Sequence, residues 1–286
     1  MKPAPFTYHR PRGLQEALDV LADLGADGKV LAGGQSLVPM MSMRLCAPTH
    51  VVDVNQVPGL AGVDVHADAV RVGALARHSD IEHHATAYDA LPLLRQALLH
   101  VAHPTIRNRG TAVGSLVHGD PAAELAAVLL LLDGSVTLRD VDGLREVGGA
   151  EFFTGPLETA VRSGELAVAA TFRRPPPGSG TAFVEVARRR GDYAVCGVGA
   201  VLSGSGPGLT AARVGLISMG PGPVLVELTP ALHDGVLDEE RVVALVDAAV
   251  DPEADIHASA DYRRHVAHVL VRRALAAARR AQGRAA

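Results

Sequence analysis

The sequence predicts a two-domain chain of the α/β or α+β class, and three observations carry that prediction. Short β-type runs alternate with helical patterns up to about residue 172, a proline-glycine break follows, and strands give way to helices beyond it. Taken in order, Leu14, Ala17, Leu18, Leu21 and Leu24 recur at spacings of three and four and predict a helix over 11–26, stopped by Gly25 and Gly28. Apolar runs at 29–31, 51–54 and 69–73 read as strands. Ser79-Asp80-Ile81-Glu82 has the capping-box form, so a helix is expected to begin near 80, with another over 91–102. Asp120-Pro121 is an entry signal for an apolar helix over 121–132. Strands follow at 135–139 and 165–172, with 152–156 a loop between them.

Arg173-Arg174-Pro175-Pro176-Pro177-Gly178-Ser179-Gly180 can continue neither a helix nor a central strand, and it divides the chain into 1–177 and 178–286. The second part reads as strands at 182–188, 195–202 and 212–219, then helices at 238–250 and 262–281. The run Ser203 to Gly208 serves as a hairpin loop. No internal repeat is visible.

Composition narrows the function classes. A chain of 286 residues that is 48% hydrophobic can bury substantial cores, and a net charge of −4 leaves no electrostatic footprint for nucleic acid. The longest apolar run, Leu125 to Leu132, is too short for a bilayer, so stable membrane insertion is not expected. The N-terminus lacks an apolar signal core, and a cytoplasmic location is expected. The two cysteines, Cys46 and Cys196, cannot supply the four thiolates of an iron-sulfur cluster and read as buried structural thiols. The histidines show no ligand spacing, so no metal site is expected. Gly197-Val198-Gly199 falls short of a dinucleotide fingerprint because Leu202 stands where the third glycine belongs. The pairs Arg263-Arg264, Arg272-Arg273 and Arg279-Arg280 are read as a solvated or subunit-facing helix side.

Two small-residue loops carry the chemistry. Leu31-Ala32-Gly33-Gly34-Gln35-Ser36-Leu37 follows a strand, and Gly110-Thr111-Ala112-Val113-Gly114-Ser115 feeds a helical stretch. Either is compatible with an ordinary structural turn. Together they suit a diphosphate that bridges two larger groups, because glycines admit a ligand to the main-chain N–H groups.

Residues 32–45 (AGGQSLVPMMSMRL), 103–115 (HPTIRNRGTAVGS), 118–124 (HGDPAAE), 187–194 (ARRRGDYA) and 255–267 (DIHASADYRRHVA) resemble, in that order, the FAD-binding medium subunit of the molybdenum hydroxylases. That is the family of carbon monoxide dehydrogenase and xanthine dehydrogenase. The resemblance implies an α+β fold: a two-subdomain FAD-binding domain of the vanillyl-alcohol-oxidase (PCMH) type, then a small antiparallel sheet with helices. It implies that Ala32, Gly33, Gly34, Gln35 and Ser36 hold the FAD diphosphate and that Thr111, Ala112, Val113, Gly114 and Ser115 form the second phosphate loop. Leu31, Leu37, Val101 and Gly110 would border the cofactor, Asp120 and Glu124 would lie near its polyol chain, and Tyr193 would cover one face of the flavin ring. No catalytic acid, base or nucleophile is expected.

The family commonly has glycine where Val113 stands. A positive φ there would strain valine and weaken the loop. As implied by the resemblance, the chain is an electron-transfer subunit. A large molybdopterin subunit would oxidise the substrate, a small subunit would relay electrons through [2Fe-2S] clusters, and the FAD would pass them to quinone, NAD or oxygen in a dimer of heterotrimers. A free-standing FAD-dependent oxidoreductase acting directly on a small molecule is the alternative, and a non-redox module that has lost FAD is a third reading.

Overall fold

A computed structural model describes residues 2–204 and 208–282. Thr7–His9, His50–Asp53 and Gly28–Leu31 form a parallel three-stranded sheet with His50–Asp53 in the centre, and helix Leu14–Leu24 packs its Ala17, Leu18 and Leu21 on it. An antiparallel five-stranded sheet follows in the order Val63–Val65, Ala69–Gly73, Leu166–Arg173, Ser135–Arg139, Leu144–Gly148. The C-terminal part is an antiparallel four-stranded sheet, Gly180–Ala187, Ala194–Ser203, Ala211–Ile217 and Val224–Glu227.

Helix Glu124–Leu131 joins these layers. Six of its residues, Leu125, Ala126, Ala127, Val128, Leu129 and Leu131, are buried, and a helix apolar all round has no choice but to lie inside. Each buried leucine or valine contributes about 1.5–3 kcal/mol. One side meets the N-terminal core and the other the C-terminal sheet, whose Gly215 would place a Cβ 2.9 Å from the Ala127 carbonyl oxygen. Gly199 lies against Leu131 on the same face. The glycines that hinted at a dinucleotide motif therefore serve close packing. The opposite face of this sheet is covered by helix Ala260–Gln282.

Several boundaries differ from expectation for identifiable reasons. The core helix begins at Glu124 rather than 121, because the Asp120 carboxylate accepts the Ala122 amide at 2.8 Å and holds 120–122 in a turn. Helix His78–Glu82 starts after Arg77, whose amide donates to the Asp80 carboxylate, so the cap lies two residues before Ser79. The helix expected over 91–102 is Pro92–Leu98. The expected loop at 152–156 holds the end of helix Gly149–Phe152 and strand Phe153–Gly155. Strands Ala194–Ser203 and Ala211–Ile217 are antiparallel neighbours, and part of the expected hairpin loop, 205–207, lies outside the described residues. Cys196 is buried and its thiol is pushed up to about 12, chiefly by desolvation, whereas Cys46 is partly exposed. Arg263 corrects the solvated-face reading: it is 6% exposed and donates to the Val195 carbonyl and the Asp255 carboxylate. Among the described residues no helix is long and apolar enough to cross a membrane.

Candidate functional site

The first glycine loop leaves strand Gly28–Leu31 and enters the short helix Leu37–Ser42. Gly34 turns it with φ +72°. Among the described residues no protein acceptor takes the amides of Gly33, Gly34, Gln35, Ser36 or Leu37, and the Ser36 hydroxyl caps none of that helix. Five consecutive N–H groups without a partner make a ready seat for an anion.

This loop sits directly on the second. A Cβ on Gly33 would lie 2.5 Å from the Arg109 carbonyl oxygen and 2.7 Å from the Gly110 Cα, so the two backbones touch where only glycine fits. Two side chains that carry no motif rivet the contact. Arg77 donates to the Arg109 main-chain carbonyl at 2.6 Å and to the Asn55 side-chain Oδ1 at 2.7 Å. Asn55 in turn donates to the Ala32 carbonyl at 2.8 Å and to Asp53 at 2.6 Å. Asp53 also accepts the Tyr8 hydroxyl. Burial opposes its charge, but the Tyr8 and Asn55 hydrogen bonds prevail and hold its carboxyl below the usual range.

The second loop is the start of a helix. Thr111 is the N-cap of Ala112–His118, its hydroxyl accepting the Gly114 amide at 3.1 Å. Ala112 and Val113 are buried in the first turn, and Val113 is not among the positive-φ residues, so the strain expected of a β-branched residue there does not arise. Much of this loop's amide capacity is already used. The Gly110 amide goes to Ile106, the Ala112 amide to Ala76 and the Ser115 amide to Thr111, which leaves the Thr111 and Val113 amides open among the described residues.

His78 lies beneath it, 4% exposed, with neither ring nitrogen hydrogen-bonded, and a Cβ on Gly110 would be 3.3 Å from its Nδ1. Desolvation, then the Arg107 charge, lowers its pKa from 6.5 to about 4. Between those values the unfolded chain binds a proton that the folded chain refuses, so stability falls as pH drops through this window, by about 3 kcal/mol in all. A His78→Leu variant should lack that component of the acid limb when unfolding is followed against pH. Equal slopes for variant and wild type would show that His78 accepts a proton while folded.

Helix Ala112–His118 spans about 10 Å at 1.5 Å per residue. At its far end Gly119, with φ +66°, leads into Asp120 and Glu124. Here a cleft of about 560 Å³ opens, walled by Asp120, Pro121, Arg188, Asp192, Tyr193 and Ser218 among others. Tyr193 is 70% exposed on that wall. The cover of the wall, then the carboxylates of Asp120, Asp192 and Glu124, push its phenol up. The loop carrying Tyr193 rests on 102–103, since a Cβ on Gly191 would lie 2.8 Å from the Ala102 carbonyl oxygen. Arg107 fixes that segment from below, donating to the Val101 and Ala102 carbonyls at 2.9 and 3.2 Å and to Glu82 at 2.7 Å.

Sequence reasoning thus found both loops and the far cluster but missed Tyr8, Asp53, Asn55, Arg77, His78 and Arg107. The geometry sets an anion seat beside the start of helix Ala112–His118 and a tyrosine-walled cleft past its end, and the seat suits the diphosphate of a nucleotide cofactor.

An FAD-binding flavoprotein subunit is the class that this fold and site define. Residues 4–172 match the family described as the FAD binding domain in molybdopterin dehydrogenase, and residues 181–278 match the CO dehydrogenase flavoprotein C-terminal domain. The chain is 39% identical over 284 residues to the 6-hydroxypseudooxynicotine dehydrogenase complex subunit alpha of Paenarthrobacter nicotinovorans, covering 97% of this chain and 96% of that protein. Its structure is similar to carbon monoxide dehydrogenase from Hydrogenophaga pseudoflava, with a TM-score of 0.92 at 34% identity over 97% of this chain and 98% of that one. It is equally similar to quinoline 2-oxidoreductase from Pseudomonas putida 86, with a TM-score of 0.91 at 34% identity over 99% and 100% of the two chains. The chain belongs to the FAD-binding medium subunits of the molybdenum hydroxylases, and it is an oxidoreductase subunit whose cofactor is FAD.

Proposed function

We propose that this chain is the electron-transfer subunit of a molybdenum hydroxylase complex, receiving electrons from the [2Fe-2S] clusters of a small partner subunit and delivering them to quinone, NAD or oxygen. The observation that carries the reading is the run of five open amides on Gly33 to Leu37, wedged against Gly110 in a chain of this family. When bound, FAD supplies the two-electron redox chemistry. The chain's own residues bind and orient it. The Gly33–Leu37 amides with the Ser36 hydroxyl take the diphosphate, Thr111 to Ser115 flank it, and Asp120 and Glu124 approach the polyol. Leu31 and Val101 border the cofactor.

The first domain is read as the PCMH type and the chain is divided at 177/178. The two large antiparallel sheets on either side of 174–179 support that division. A large molybdopterin subunit completes the complex, read as a dimer of heterotrimers. The "complex subunit" and "medium chain" names of relatives support such partners.

The test is co-expression of the chain with the gene products beside its own, then purification and a visible spectrum. Flavin and [2Fe-2S] bands together with molybdenum support the reading, and a yellow chain that oxidises a small molecule alone supports the free-standing alternative. Tyr193 is assigned to one face of the flavin ring. Tyr193→Ala should change the rate at which oxygen or a dye reoxidises the reduced protein, and an unchanged rate removes Tyr193 from that position.

A further inference from the structure

The cleft that exposes Tyr193 has a one-sided charge. Five carboxylates, Asp120, Asp192, Asp251, Glu253 and Asp255, line its volume of about 560 Å³ against two guanidiniums, Arg188 and Arg263. Both arginines are spent as struts. Arg263 is 6% exposed and donates to Asp255 at 2.6 Å and to the Val195 carbonyl at 2.7 Å. Arg188 meets His257 Nδ1 at 3.2 Å, so the two cations tie the 255–257 segment to strand Ala194–Ser203 and to the end of Gly180–Ala187.

The carboxylates are left facing the opening. Asp251 meets Arg264 at 3.5 Å with its own side chain 94% exposed, where such a pair has little strength. Among the described residues no ion pair involves Asp120, Asp192 or Glu253. Asp120 and Asp192 are also fixed in place, accepting the Ala122 amide at 2.8 Å and the Tyr193 amide at 3.0 Å. Between these charges the wall is apolar: Pro121, Ala122, Pro156, Val195 and Pro221 line it beside the Tyr193 ring.

We propose that this cleft is the entry for the external electron acceptor, and that it selects an uncharged, planar acceptor of the quinone class while turning away dinucleotides and other anions. A cleft lined by one sign of charge concentrates what that charge attracts and depletes what it repels, and a diphosphate here meets carboxylates on several sides. A neutral ring meets no such barrier and finds an aromatic and proline-rich wall. Two electrons and two protons pass from the reduced flavin to the quinone, which leaves as the quinol while the flavin returns to its oxidised form. The selection rests on the FAD reading above and narrows its three acceptors to one.

The experiment compares binding first. Saturation-transfer NMR on the oxidised, FAD-loaded chain should show transfer to the methyl groups of tetramethylbenzoquinone, which has no open ring position for a thiol to attack, and none to NAD. Equal transfer to both, or transfer to NAD alone, overturns the selection. The chain is then reduced anaerobically with dithionite and reoxidised in a stopped-flow instrument by the same quinone or by ferricyanide, an anion. Salt should speed the ferricyanide reaction and leave the quinone reaction flat, because only the first is opposed by charge. Glu253→Lys, at an exposed position, should raise the ferricyanide rate by roughly tenfold at low ionic strength. A ferricyanide rate that ignores both salt and the substitution overturns the electrostatic filter. A chain that takes up no FAD overturns the cofactor reading itself, and the NMR comparison on that FAD-free chain still decides whether the cleft prefers the quinone to NAD.

Discussion

Gly33→Val leaves the purified chain without bound FAD. The substitution adds a side chain where an ideal Cβ already stands 2.5 Å from the Arg109 carbonyl oxygen, 2.7 Å from the Gly110 Cα and 3.0 Å from the Thr111 amide nitrogen. All three are backbone atoms, and the Arg77 guanidinium pins Arg109 through a 2.6 Å hydrogen bond, so neither side can yield by a rotamer change. The loops must part, and the open amides of Gly33 to Leu37 lose their alignment with the start of helix Ala112–His118. Overpacking of this kind costs about 1–3 kcal/mol, and at 1.4 kcal/mol per decade that is roughly a tenfold to hundredfold loss of affinity. Flavin absorbance after gel filtration reads it directly. Gly13→Ala is the control, because a Cβ there meets nothing within 4 Å. Full flavin content in Gly33→Val would place the diphosphate away from this loop.

Arg107→Ala has the largest expected effect on stability. The Arg107 and Glu82 side chains are 9% and 11% exposed, and removing the guanidinium strands the carboxylate in a site closed to water. It also frees the Val101 and Ala102 carbonyls, and Ala102 is held at φ +41°, an unfavourable value for alanine. Breaking a buried pair by deleting one partner costs about 3–5 kcal/mol. At roughly 2–4 °C per kcal/mol for chains of about this size, the unfolding midpoint should drop by something on the order of 10 °C. Replacing both partners, Arg107→Leu with Glu82→Leu, should restore part of the loss, since no orphaned charge remains. A single variant within about 1 kcal/mol of wild type in denaturant unfolding would show that the pair is not what holds the 101–103 segment.

The contrast between what was and was not legible follows from how each element encodes itself. Helix Leu14–Leu24 and the strands of the central sheets announce themselves because burial on one side imposes a period, and Leu18, Val70 and Phe172 obey it. Leu144–Gly148 is an edge strand bearing Leu144, Arg145 and Glu146 on a largely accessible ladder, so its residues satisfy no apolar alternation. Helix Ala112–His118 was hidden because Gly114 and Ser115 are poor helix formers. Only the Thr111 cap and tertiary packing of Ala112, Val113 and Leu116 make it helical, which also removes the objection to valine. In the site, the glycine loops were readable because close backbone approach demands a specific residue type. Asn55 and Arg77 were not, since they act across 22 to 32 residues of sequence by hydrogen bonds that many polar side chains could make.

The shared core helix bears on how the chain can be made. Until synthesis has passed Ile217, Glu124–Leu131 has one side covered and the other waiting for the sheet that carries Gly199 and Gly215. A fragment cut at the proline run would carry that bare leucine-rich stripe permanently, and exposed apolar area of this kind drives aggregation. The two halves are therefore one unit of production: truncation libraries, split fusions and expression of the cofactor domain by itself should yield insoluble material, whereas tags at either end of the full chain leave the stripe covered.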